Sequence, residues 1–118
     1  MKIWEVYADT KGESHFRESE IPWAVGTWRG AIATEPVKNS GVIFRETSGP
    51  SQNDWHVAPR KQIVLNWDSG FAITTSDGAT RIFERGEPMM LTDTHGKGHK
   101  TVSLNTTGSR RGMFIPLE

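Results

Sequence analysis

The sequence predicts an all-β domain, an antiparallel β-sandwich or closed barrel, and three observations carry that expectation. Twelve glycines and six prolines are spread along the chain rather than gathered into one linker. Between them lie short runs rich in Val, Ile, Thr, Phe and Trp, the composition of half-buried strands. No stretch keeps an i, i+3, i+4 apolar stripe through three turns. Residues 13–21 come nearest, but Phe16 and Ile21 are poorly spaced for one helical face, and Pro22 follows them.

In chain order, strands are predicted over 2–8, 14–20, 28–34, 41–47, 61–67, 70–75, 79–83, 88–92, 100–105 and 112–117. Lys11-Gly12 turns the first pair, and Ser76-Asp77-Gly78 turns the clearest hairpin, because Asp-Gly accepts the positive φ of a tight connection. Ser48-Gly49-Pro50, Arg85-Gly86-Glu87 and Thr107-Gly108 are the other breaks. There is no internal repeat, low-complexity tract or domain boundary, so one domain over 1–118 is expected.

Composition narrows the partners. Five Trp and five Phe can fill a core at this length, since one buried aromatic covers roughly 150–250 Å². Fourteen basic residues balance fourteen acidic ones with no basic stripe, which argues against nucleic acid and against an anionic membrane surface. Without Cys there is no disulfide, thiolate metal site or Cys nucleophile. The start, Met1-Lys2-Ile3-Trp4-Glu5, lacks the apolar segment of a signal peptide, and apolar runs end after three residues, as at Ile63-Val64-Leu65. A soluble, cytoplasmic protein is the expectation. Trp4, Trp23, Trp28, Trp55 and Trp67 are assigned to the core or to a dimer surface, the N-terminal strands offering an edge for a homodimer.

Two segments together carry a family resemblance. The first is Asp54-Trp55-His56-Val57-Ala58-Pro59-Arg60-Lys61-Gln62, running on to Gly70. The second opens at Gly86-Glu87-Pro88 and ends in Asp93-Thr94-His95-Gly96-Lys97-Gly98-His99, with the Asp77-Gly78 hairpin between the two. In this order they resemble the paired motifs of the cupin superfamily over about residues 41–105. The resemblance implies a jelly roll with one small-molecule site inside the barrel. It also implies a metal-ligand pattern of two His, a Glu and a last His. Of these, His56 and His99 are matched, Ala58 stands at the second His position and Gln62 at the Glu position. No cofactor is therefore expected; a divalent transition metal, if bound, would be held by His56, Gln62 and His99.

Alternation places His56, Ala58, Arg60 and Gln62 on one face, unless Pro59 introduces a bulge. His56 and His99 are the expected catalytic pair, imidazole being suited to proton transfer near neutral pH; singly, each also fits a hydrogen-bonded structural role. Arg60 would aim a planar donor fork at an anionic or carbonyl-bearing ligand, or else pair with an acid such as Glu46 or Asp93. Asp93 could serve as metal ligand, proton acceptor or orienting partner of an imidazole, or stabilise the turn at 94–98. Gln62 and Asp93 join the expected substrate wall, as do Phe44 and Arg45, of which one should face inward. Gly96-Lys97-Gly98 lacks the spacing and the following helix of a phosphate loop.

Two functions remain open at this point. One is an acid–base enzyme of isomerase, dehydratase, cyclase or lyase type, in which a histidine removes a proton and Arg60 or Gln62 stabilises the oxyanion. The other is a non-catalytic binding or sensor module, for which a degenerate ligand set is natural. A metal-dependent dioxygenase would require the metal.

Overall fold

The computed structural model describes residues 1–26, 28–49, 54–105 and 108–118. Among them are nine strands and no helix: β1 (Lys2–Ala8), β2 (Ser14–Glu20), β3 (Ile43–Thr47), β4 (Gln62–Asn66), β5 (Phe71–Thr75), β6 (Thr80–Phe83), β7 (Met89–Leu91), β8 (His99–Ser103) and β9 (Arg110–Pro116). They form two sheets, a six-stranded one in the order β2-β1-β7-β4-β9-β3 and a three-stranded one in the order β6-β5-β8. Every ladder is antiparallel except β1 with β7, which run parallel. The all-β sandwich expected from the sequence is the fold. No helix of the described residues is long and apolar enough to cross a membrane. Pro50 of the Ser48-Gly49-Pro50 turn and Thr107 of the Thr107-Gly108 turn lie outside the described residues.

The core lies between the sheets because alternate residues of each strand point inward. Val6, Val64, Met89 and Leu91 of the larger sheet meet Phe71, Ile73 and Phe83 of the smaller one, with Trp4, Phe16 and Phe114 packed around them. Phe71 and Phe83 stack with centroids 5.6 Å apart. At the β2–β1 end, the Arg81 guanidinium lies 3.5 Å from the centre of the Trp4 ring and seals that side with a cation–π contact.

The strand expected over 28–34 does not form. Trp28 and Ala31 exchange both backbone hydrogen bonds, at 2.9 Å each, across Arg29 (φ 53°) and Gly30 (φ 81°). Two successive positive φ values make a tight two-residue hairpin turn, which reverses the chain in the middle of the expected strand. The arm is held at its base by the Trp23–Thr34 bridge, and Trp28 is 76% exposed.

The sheets are unequal, and this positions the site. At about 4.8 Å per strand, six strands span roughly 24 Å and three span roughly 10 Å. Among the described residues the smaller sheet therefore has too few strands to cover all of the larger one, whose end away from β2 and β1 is formed by β9 and β3.

Candidate active site

A cavity of about 410 Å³ opens at that end, within the usual range for small-molecule sites. Its walls follow from strand alternation. β8 contributes His99, Thr101 and Ser103, and β4 contributes Gln62, Val64 and Asn66. β9 adds Arg110 and Phe114, and β3 adds Arg45 and Thr47. Phe71, Met89 and Leu91 make an apolar part of the lining.

His56 reaches this cavity through a close backbone approach. Gly98 has φ 75°, and a Cβ on it would lie 2.2 Å from the His56 carbonyl oxygen. Only glycine lets residue 56 lie against the start of β8. There His56 and His99 exchange backbone bonds of 3.0 and 2.8 Å, and their rings stand 4.6 Å apart at 58°.

The two imidazoles have different surroundings and the same free nitrogen. His99 is 1% exposed, and its Nδ1 lies 2.6 Å from Oδ2 of Asp93, itself fully buried. A carboxylate oxygen accepts, so Nδ1–H donates, and in the neutral ring the lone pair then sits on Nε2. Among the described residues Asp93 Oδ1 is buried without a hydrogen-bond partner, which leaves His99 as the group its carboxylate serves there. His56 stands at the rim, exposed to solvent. Its Nδ1 is 2.9 Å from the Asp54 carbonyl oxygen, which can only accept, so Nδ1–H donates here too, and in the neutral ring the lone pair sits on Nε2.

Arg60 does not line the cavity. Residues 59–61 bend before β4 begins at Gln62, so alternation is interrupted; Pro59 joins the lining and Arg60 turns to solvent. Its Nη1 donates to Gln62 Oε1 at 2.9 Å. That bond occupies the amide oxygen of the buried Gln62 and leaves its NH₂ group as the donor on the cavity wall. Arg60 is thus placed behind the wall rather than on it.

Of Phe44 and Arg45, Arg45 faces in. Phe44 is 72% exposed and absent from the lining. Arg45 pairs with Gly112 and Thr47 with Arg110, so Arg45 and Arg110 are diagonal neighbours on one face. Arg45 donates to Asn66 Oδ1 at 3.1 Å and lies 4.6 Å from the Phe114 ring centre. It keeps solvent contact, yet burial against the wall, and then the like charge of Arg110, hold it below the ordinary guanidinium pKa. Arg110 Nη2 donates to the Gly49 carbonyl at 2.8 Å, while Nη1 is buried without a hydrogen-bond partner among the described residues. Arg110 was not legible as a site residue. Thr101 and Ser103 were missed as well, though counting in twos from His99 would have found them.

The residues present do not fit a metal centre of the kind the family resemblance implies. Among the described residues no group of three or more His, Cys, Asp or Glu side chains could hold a metal ion. Asp93 is turned to His99 Nδ1, and the Gln62 oxygen is taken by Arg60. His56, Gln62 and His99 therefore fall short of the three available protein donors that open metal sites commonly use. No family model matches the chain, and no curated protein is significantly similar to it.

Proposed function

We propose that the chain is a cupin-type acid–base enzyme of the lyase or isomerase class, acting on a small molecule inside this cavity. The observation that carries the reading is the buried Asp93–His99 pair with a second imidazole 4.6 Å away. In this reading His99 Nε2 takes a proton from a carbon next to a carbonyl group. Asp93 stabilises the imidazolium that results, and its bond to Nδ1 fixes the ring in the reactive tautomer. The Gln62 amide, locked by Arg60, donates to the enolate oxygen. His56, protonated from the solvent it faces, returns a proton at a second carbon or to a departing hydroxyl. The first route is an isomerisation and the second a dehydration. The motif order around residues 41–105 supports the cupin assignment, and the division of labour between a buried and a solvent-facing histidine supports acid–base chemistry.

The test is solvent deuterium exchange. A panel of small 2-oxo and 3-oxo acids in D₂O, followed by proton NMR, should include members whose acidic C–H signal disappears faster with the protein. His99→Ala should slow that exchange about 10²–10⁴-fold. If panel members bind in the cavity but none exchanges above the uncatalysed rate, the enzyme reading fails and the non-catalytic binding module takes its place.

A further inference from the structure

We propose that Arg45 and Arg110 form an oxyanion subsite at the open end of the cavity, so that the molecule entering it carries a carboxylate or phosphate group. That this anion is the substrate rests on the acid–base reading above; the subsite itself rests on geometry alone.

Two guanidinium groups are diagonal neighbours on one sheet face, and both line one cavity. Like charges held this near each other repel unless something neutralises them. Among the described residues neither has a carboxylate partner. Two other arginines of the larger sheet, by contrast, have their charge met by a carboxylate. Arg17 is bound by both oxygens of Glu5 and Arg111 by both oxygens of Asp68.

Arg110 Nη1 is the sharper sign. It is a buried guanidinium N–H group with nothing to donate to among the described residues, and leaving such a donor unmet is costly. Asn66 and the Phe114 ring hold Arg45, and the Gly49 carbonyl holds Arg110, each through contacts that leave its charge uncompensated. A carboxylate or phosphate between them would accept from both forks and cancel their repulsion.

The rest of the lining sets the ligand's other end. Val64, Phe71, Met89 and Leu91 supply apolar surface. Taking about 30 Å³ per water-sized group, the cavity has room for on the order of a dozen of them. The fitting ligand is a small organic acid or phosphate ester with a compact, weakly polar body.

The probes are inorganic phosphate and malonate, with malonamide as the uncharged control. Each is titrated into the full chain while the arginine Nε–H resonances are followed by ¹H–¹⁵N NMR. Saturable shifts at Arg45 and Arg110 with either anion, and none with malonamide, are expected. The tighter of the two anions assigns the group. R45Q and R110Q should each weaken the anion about tenfold or more, a charge-assisted bond being lost in each. Both variants should melt cooperatively, yet lose the rise in Tm that the anion gives the unmodified chain. K2Q, a loss of charge on β1 outside the cavity lining, should leave anion affinity within about twofold. Anions that shift neither arginine, or unchanged affinity in both arginine variants, overturn the subsite. Normal anion binding without deuterium exchange rejects the enzyme reading and leaves the subsite standing.

Discussion

At the scale of single residues, the decisive feature is the asymmetry between His99 and His56. Both donate through Nδ1, one to a buried carboxylate and the other to a backbone carbonyl. The partner of His99 is a side chain that can carry charge and the partner of His56 is a neutral carbonyl, so of the two His99 has the counter-charge for a proton taken at Nε2. Asp93→Asn isolates this effect, since volume is nearly kept while the charge is lost. An amide can turn its NH₂ group toward Nδ1, which moves the ring proton to Nε2 and removes the base. Deuterium exchange should then fall at least tenfold. Stability should change by no more than about 1 kcal/mol, because the lost charge was itself desolvated, with Oδ1 unpartnered among the described residues. Exchange at the original rate in D93N, measured beside urea denaturation, would remove Asp93 from the mechanism.

At the scale of elements, the site depends on one glycine in the turn before β8. Gly98→Ala would put a methyl group against the His56 carbonyl and force an L-residue to φ 75°. The expected cost is about 1–3 kcal/mol, read from the urea midpoint, together with loss of the paired backbone bonds at residues 56 and 99. Protected His56 and His99 amides in hydrogen exchange of the variant would contradict this. The same turn shows why part of the site was legible. Periodicity is local, so it holds wherever the chain stays extended: in β5, where Phe71, Ile73 and Thr75 are buried, and in β8 beyond His99. It failed at Arg60, where the bend at 59–61 broke the count, and at 28–34, where Arg29 adopts the positive φ usually left to glycine or asparagine. Arg110 was hidden for a different reason. β9 begins two residues earlier than the apolar pattern suggests, and the facing of Arg110 beside Arg45 is a matter of cross-strand register. Register is set by partners far apart in sequence and leaves no local trace.

At the scale of the whole molecule, a sandwich with one end uncovered must be held firmly at the other. His15 provides a tie there, standing between the two sheets. Its Nε2 lies 2.7 Å from Asp9 in the β1–β2 turn, and its Nδ1 lies 3.0 Å from Asp77 in the β5–β6 turn. Ser14 and Ser76 reinforce the junction by backbone-to-hydroxyl bonds of 2.7 Å in each direction. With a carboxylate on each ring nitrogen, the imidazolium donates twice. The bond to Asp9 is the largest effect and raises the His15 pKa; burial opposes it, and the bond to Asp77 adds to the raise. The His15 bond is the main cause of a lowered Asp9 pKa. Burial pushes Asp77 up, but the Thr75 hydroxyl, the Ala79 amide and His15 together bring it below its ordinary value. The signs follow from linkage. The raised His15 contributes fully below its unfolded pKa of about 6.5, and the contribution is lost as pH rises through the folded value. The lowered aspartates contribute above about 3.9, and theirs is lost as pH falls through their folded values. The tie is therefore at full strength between roughly pH 4 and 6.5 and weakens above that window. The urea midpoint of the unmodified chain should accordingly be higher at about pH 5.5 than at about pH 9. His15→Gln, which can still donate but cannot carry charge, should flatten most of that difference. A pH dependence that is unchanged in the variant would show that the two sheets are held together by groups other than His15.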